Sequence, residues 1–140
     1  MSEQTFINRI FHWLKSTEMF AQPSKQLPGK WQLFEYYTET CGELLHIQEE
    51  QLKSSEVFWE IEFYEDGVFN QQSNSLEEFM KPSGVNRWSL SKNFVTLLSN
   101  DFRNNIEYQF AIDKGTLKLL KKDFSGKIEF FGFFRKPNKK

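Results

Sequence analysis

The sequence has a single cysteine, Cys41, and only two histidines, His12 and His46, among its 140 residues. One cysteine excludes an internal disulfide and is typical of a protein from a reducing compartment. No stretch approaches the ~20 consecutive apolar residues that a membrane-spanning helix needs. The first residues carry an acid and no basic cluster, and no long apolar run follows them. We therefore expect no secretory signal and a cytoplasmic location, the alternative being a secreted chain whose signal has been removed.

Residues that support catalysis or metal binding are equally scarce. Neither histidine has a cysteine or carboxylate at metal-ligand spacing, and no glycine-rich loop could cradle a phosphate. The acidic pairs Glu49-Glu50 and Glu77-Glu78 are sequence neighbours whose side chains diverge on a strand or helix, so neither forms a catalytic dyad. Cys41 has no nearby basic residue to activate its thiol. We predict no enzymatic activity, no catalytic residue, no metal site and no cofactor.

The formal net charge is −1, but the charges are unevenly distributed along the chain. Residues 39–78 contain eleven acidic residues and one lysine, whereas residues 114–140 contain nine basic residues and two acidic ones. The overall balance gives no general attraction to nucleic acid, so we predict no nucleic-acid partner. Outward-facing charges on different strands are the simplest explanation, and an acidic partner for the basic tail is the alternative.

Residues 5–16 carry apolar side chains at the spacing of one broad helix face. We predict a helix here and a linker up to residue 27, followed by one domain over residues 28–137. The helix is expected to pack on that domain, with docking of a partner protein as the alternative. It has too few cationic residues for a membrane-surface helix. Its apolar face consists of Phe6, Ile7, Ile10, Phe11, Trp13 and Leu14.

Beyond residue 28 the sequence consists of short apolar–polar alternations separated by turn residues, which is typical of β-strands. Residues 40–56 fit either a helix or a strand over 44–48. A closed up-and-down barrel is the simplest way to hide both sheet edges, and 16 phenylalanines could line or fill it. We therefore predict a mainly β protein, a single eight-stranded antiparallel barrel with an N-terminal helix. The strands are expected at 30–38, 57–64, 68–73, 86–91, 94–99, 106–113, 117–123 and 128–134.

Hairpin registers follow from placing apolar side chains opposite one another, since a slip by one residue would turn a strand inside out. A three-residue turn that ends at a left-handed Gly67 is preferred for the first hairpin because it keeps both flanking rings inside. The expected pairs are Phe63 with Phe69, Leu90 with Val95, Trp88 with Leu97, Ile112 with Leu117, Phe110 with Leu119, Tyr108 with Lys121, Lys121 with Phe130, and Asp123 with Ile128.

A Gly-x-Trp motif, Gly29 to Trp31, opens the first predicted strand, and Arg135 ends the last one. Together with the eight strands, this pair resembles the lipocalin-like barrels of the calycin superfamily, including bacterial lipocalin-like domains. The resemblance covers about residues 28–136. It implies that Trp31 closes one end of the barrel with Arg135 across its ring, and that residues 40–56 lie over the open mouth. The Arg-x-Tyr ligand clamp of fatty-acid-binding proteins and the Thr-Asp-Tyr motif of secreted lipocalins are both absent, so the resemblance implies no particular ligand.

Tyr108 and Lys121 are expected to face the interior, where an unpaired lysine would be costly. Lys121 reaches water at the mouth, is turned outward by a bulge, or joins Tyr108 in holding the acidic or hydroxyl end of a mostly apolar ligand. Two function hypotheses follow. The protein is a non-enzymatic binding protein for a small apolar molecule, or a barrel filled by its own side chains that serves as an interaction or scaffold module. The predicted ligand-binding residues are Phe63, Phe69, Trp88, Tyr108, Phe110, Lys121 and Phe130.

Overall fold

The computed structural model describes residues 23–75, 77, 79–101 and 104–137. Helix α1 spans Pro23–Gln26 and helix α2 spans Glu49–Ser54. The helix predicted over residues 5–16 lies outside the described residues. The strands are β1 (Gly29–Thr40), β2 (Glu43–Ile47), β3 (Trp59–Phe63), β4 (Phe69–Ser73), β5 (Val85–Ser91), β6 (Phe94–Ser99), β7 (Ile106–Asp113), β8 (Thr116–Lys122) and β9 (Ile128–Arg135).

Eight of these strands form one antiparallel sheet that closes almost completely into a barrel. In chain order β1, β3 and β4 pair in succession, β5 to β9 do the same, and β9 returns to pair with β1. Where β4 and β5 approach each other, an isolated bridge joins Val68 to Arg87, and the Trp88 amide donates to the Gly67 carbonyl at 2.9 Å. The predicted eight-stranded up-and-down barrel is thereby confirmed, and this fold is compatible with a lipocalin-like barrel.

Residues 40–56 contain both a strand and a helix. β2 forms a hairpin with the second half of β1, on the same edge whose first half pairs with β3. α2 follows directly and places the buried side chain of Leu52 against the barrel core. The two patterns that the sequence offered for this segment are therefore both realised, one after the other.

The predicted hairpin registers are confirmed for β3–β4 and β5–β6. In β7–β8 the predicted pairs of Ile112 with Leu117 and Phe110 with Leu119 are confirmed, and the ladder ends at Gln109 with Leu120, one residue before Tyr108 and Lys121. In the last hairpin Lys121 pairs with Phe130 as predicted, but a bulge then sets Ile128 opposite Lys122. The predicted pairing of Asp123 with Ile128 is wrong. Asp123 belongs to the turn instead, because its carboxylate accepts hydrogen bonds from the amides of Ser125 and Lys127 at 2.9 and 3.0 Å.

Aromatic rings fill much of the barrel interior. The Phe130 ring is fully buried, with its centroid 5.7 Å from that of Trp59 and 6.3 Å from that of Tyr108. Gly132 makes room for it, since a Cβ there would lie 2.1 Å from the Phe130 Cζ. Edge-to-face pairs of this kind contribute about 0.5–1.5 kcal/mol beyond their buried area. The buried members of this core are Leu27, Trp31, Leu33, Leu52, Trp59, Ile61, Phe63, Phe69, Met80, Val95, Leu97, Tyr108, Phe110, Leu117, Leu119, Phe130 and Phe134.

A second, smaller apolar cluster lies on the outward faces of β7, β8 and β9. Next to it the His46 ring stacks on Tyr37 with centroids 4.1 Å apart, and the His46 Nε2 lies 2.6 Å from a carboxylate oxygen of Glu35. These contacts give His46 a structural role in fastening β2 to β1. The buried members of this cluster are Ala111, Leu120, Ile128 and Phe131.

The Gly-x-Trp motif has a clear structural reason. Trp31 is 2 % exposed, and its indole N–H donates to the Leu27 carbonyl at 2.8 Å. The cation over its ring is Lys136, whose Nζ lies 4.2 Å from the ring centroid, and Gly29 leaves room for that ammonium because a Cβ would lie 2.3 Å from it. The predicted Arg135 lies instead over Phe34, at 4.6 Å. Strand alternation directs successive side chains to opposite faces, so adjacent cations cover different rings.

Candidate functional site at the barrel mouth

One end of the barrel, which we call the mouth, is formed where β7 and β9 begin and β8 ends. A cavity of about 440 Å³ opens there, and we call it the mouth cavity. Its volume falls within the range of about 300–1,000 Å³ that is usual for small-molecule sites. The residues that line it are Glu77, Phe79, Ile106, Tyr108, Lys121 and Glu129.

Tyr108 is the most unusual of these residues. It points inward from β7 and is 1 % exposed, yet its hydroxyl has no hydrogen-bond partner, the one such buried side-chain polar atom in the described part of the chain. Burial, reinforced by the negative charge of Glu129, raises the pKa of this phenol. A buried polar group without a partner costs about 1–3 kcal/mol. Tyr108 therefore holds a protonated hydroxyl at the mouth cavity at the expense of stability.

Lys121 and Glu129 form an ion pair beside this hydroxyl. Lys121 is an inward position of β8, and its side chain remains 30 % exposed at the mouth. Glu129 is the extra residue of the bulge between β8 and β9, and its carbonyl accepts a hydrogen bond from the Thr38 hydroxyl at 2.9 Å. The bulge that turns Ile128 outward thus also brings Glu129 to Lys121. Partial exposure and a carboxylate partner together offset the cost of an inward lysine.

The charged groups that line the mouth cavity sum to −1, from Glu77, Lys121 and Glu129. Two tyrosines respond to this negative charge. The pKa of Tyr108 is raised by burial and then by Glu129, and the pKa of Tyr36 is raised by burial and then by Glu77. Because a phenolate is disfavoured beside a carboxylate, both hydroxyls remain protonated over the neutral pH range.

The apolar part of the cavity wall comes from Phe79 and Ile106. Phe79 lies in the connection between β4 and β5, and its ring stacks on Phe130 with centroids 4.8 Å apart. It also lies 5.2 Å from the ring of Tyr36. The mouth cavity therefore offers an apolar aromatic surface next to one unpartnered hydroxyl, which is the combination that small-molecule sites use for affinity and orientation.

Of the seven predicted ligand-binding residues, the structure brings Tyr108 and Lys121 together at the mouth cavity. Phe63, Phe69 and Trp88 form a cluster at the opposite end of the barrel, with the Phe63 centroid 5.4 Å from each of the other two rings. The remaining two, Phe110 and Phe130, are buried in the core, at 3 % and 0 % exposure. Ligand contacts of these five rings remain a prediction.

The sequence pattern did not identify Glu129 or Phe79 as site residues. Strict alternation along the last strand directs Glu129 outward, and only the bulge reverses this. Phe79 lies in a connection without periodicity, where no pattern indicates which side chain turns inward.

Two further cavities are lined by polar side chains that already form hydrogen bonds or an ion pair within the protein. One, of about 480 Å³, lies beside the gap between β4 and β5, where the Gln71 side chain accepts from the Trp59 indole at 2.9 Å and donates to the Pro82 carbonyl at 2.8 Å. The other, of about 340 Å³, lies beside α2 and contains the ion pair of Arg135 with Glu49. The unpartnered hydroxyl of Tyr108 distinguishes the mouth cavity from both.

Among the described residues, no group of three or more His, Cys, Asp or Glu side chains is placed to hold a metal ion. No helix within the same residues is both long and apolar enough to cross a membrane.

No protein-family model matches the chain, and neither the curated proteins nor the solved structures contain a match to it.

Proposed function

We propose that this protein is a non-enzymatic binding protein that holds a small, mostly apolar ligand in the mouth cavity. A barrel fold is compatible with ligand binding, and a relationship to the lipocalin-like barrels of the calycin superfamily is part of the proposal. We place its action in the cytoplasm, which the lone and exposed Cys41 supports.

The observation that carries the proposal is the unpartnered hydroxyl of Tyr108 beside an open cavity. Buried polar groups in folded proteins almost always have a hydrogen-bond partner, so an exception needs an explanation. A phenylalanine would fill the same space without the cost. A ligand that hydrogen-bonds to the hydroxyl accounts for its presence, and the aromatic surface of Phe79 accounts for the ligand's apolar part.

The test is an NMR titration of isotope-labelled protein with 4-phenylbutan-1-ol, which joins an aromatic ring to a hydroxyl. We expect saturable shifts of the backbone amides of Ile106, Tyr108 and Lys121, with the amides around Trp31 unchanged. An Ile106→Trp variant, which fills the cavity, should remove the shifts, whereas Val68→Trp on the exposed far side of the barrel should leave them. Shifts confined to other regions, or a titration that never saturates, would overturn the proposal.

A second function is favoured by the ring packing of the interior. Phe63, Phe110 and Phe130 are at most 3 % exposed, which supports a barrel filled by its own side chains that acts as an interaction or scaffold module. The N-terminal helix proposed as a docking element lies outside the described residues. The same titration separates the two functions, because a scaffold barrel gives no saturable response at Ile106, Tyr108 and Lys121.

A further inference from the structure

We infer that the polar end of the ligand is an uncharged hydrogen-bond acceptor, such as an amide or ketone oxygen, and that the mouth cavity discriminates against carboxylates. This inference rests on the proposed function and specifies its ligand class. It differs from the sequence-based prediction, which allowed a ligand with an acidic end because Lys121 was expected to be available to pair with it.

The cationic group at the mouth is already engaged. The Lys121 ammonium is paired with Glu129, so an incoming carboxylate would compete with a carboxylate that the fold itself supplies. Glu77 adds a second negative charge to the same cavity, and the lining charges sum to −1. Like charges brought together in a partly desolvated site cost binding free energy, and this is how proteins reject wrong partners.

The free hydrogen-bonding group is a donor. The Tyr108 phenol stays protonated because of its burial and its carboxylate neighbour, so it can give its proton to a ligand oxygen. Glu129 and Glu77 already provide acceptors. A ligand that matches this set presents an uncharged oxygen to Tyr108 and lays its apolar part on Phe79 and Ile106.

The experiment compares two ligands that share one apolar body, 4-phenylbutanamide and 4-phenylbutanoate, by NMR titration at pH 7.5. We expect the amide to bind at least about tenfold more tightly. Tyr108→Phe should weaken the amide by about three- to tenfold, the range of a single hydrogen bond. The control Tyr64→Phe alters a half-exposed tyrosine at the far end of the barrel and should change neither affinity.

A charge variant tests the second half of the inference. Glu129→Gln keeps the shape of the site and frees Lys121, so the carboxylate should gain about five- to tenfold while the amide stays within about twofold. The folded state of each variant is checked from its amide spectrum.

Tighter binding of the carboxylate by the unaltered protein would overturn the ligand class but leave the proposed function standing. An amide affinity unaffected by Tyr108→Phe would likewise overturn the role of the hydroxyl. Failure of both ligands and of 4-phenylbutan-1-ol to bind at the mouth would overturn the proposed function itself.

Discussion

The two ends of the barrel treat polar groups in opposite ways. At the end around Trp31, the indole N–H groups of the large rings are hydrogen-bonded to nearby backbone carbonyls. The Trp31 indole donates to Leu27, and the Trp88 indole donates to the Tyr64 carbonyl at 2.8 Å. At the mouth Tyr108 is as buried as Trp31, and its hydroxyl has no partner.

This difference arises within the same strands. β9 runs from the bulge at Glu129 to the fully buried Phe134, so one strand serves a cavity at its start and a ring-packed core at its end. Selection for stability alone would favour hydrogen-bonded polar groups at both ends of the barrel. The uncompensated hydroxyl at one end supports the proposed binding site, because folds usually depart from local consistency where they trade stability for function. Substitutions at each level of the barrel test this difference between its ends.

The largest effect is expected at the end around Trp31. Trp31→Ala removes a nearly fully buried ring and strands the Leu27 carbonyl, so the free energy of unfolding should fall by about 3–5 kcal/mol in urea denaturation. Ile106→Ala, a partly buried side chain at the mouth, should cost clearly less. Equal losses at the two positions would contradict the division of the barrel into a stabilising end and a binding end.

The next largest loss of stability is expected for a substitution in the middle of the barrel. Gly132→Ala places a methyl group 2.1 Å from the Phe130 Cζ, and the rings of Trp59 and Phe79 limit how far Phe130 can move. Overpacking of this kind costs about 1–3 kcal/mol. The loss should appear in thermal or urea unfolding.

The double variant Gly132→Ala with Phe130→Leu provides the control, because a smaller side chain leaves space for the methyl group. It should lose less than the sum of the two single changes. Strict additivity would show that Gly132 is needed for another reason.

The smallest effect, and the one of opposite sign, is expected at the mouth. Tyr108→Phe removes a buried hydroxyl without a partner, so the free energy of unfolding at pH 7 should rise by about 1 kcal/mol. A loss of similar size would mean that the hydroxyl does have a partner in solution, and the main support for the binding site would disappear.

The same variant also tests a predicted pH dependence of the free energy of unfolding. The Tyr108 pKa is raised above its ordinary value of 10.0, mainly by burial, so the folded state keeps the phenol protonated at a pH where the unfolded state loses the proton. The free energy of unfolding should therefore fall as the pH rises above 10. The loss should reach up to about 1.4 kcal/mol per pH unit. The pKa values of Tyr36 and Tyr37 are also raised, so unfolding curves between pH 9 and 11.5 should be compared for the unaltered protein and Tyr108→Phe. Parallel curves would contradict the burial of the Tyr108 hydroxyl in solution.

Local sequence patterns predicted eight of the nine strands, their up-and-down order and most of their hairpin pairing, and left β2 undecided. Period-two alternation decides which side chains share a face, and turn residues such as Gly67 and Lys114-Gly115, all with positive φ, fix the register of each hairpin. Those local rules placed Tyr108 and Lys121 on inward positions of neighbouring strands. The motif of Gly29 with Trp31 was visible in the sequence, but the role of Gly29 in leaving room for Lys136 was not.

The surroundings of Tyr108 and Lys121 depend on contacts that appear only in the folded barrel. The Asp123 carboxylate accepts a hydrogen bond within its turn instead of pairing Asp123 with Ile128, and the hairpin carries a bulge. The extra residue of this bulge is Glu129, which lies at the mouth, and Ile128 faces outward. Phe79 reaches Phe130 from a connection without periodicity, and Lys136 instead of Arg135 covers Trp31. Alternation specifies a face of a strand but not its distance to other strands. The charge of the mouth cavity is therefore set by contacts between segments far apart in the chain.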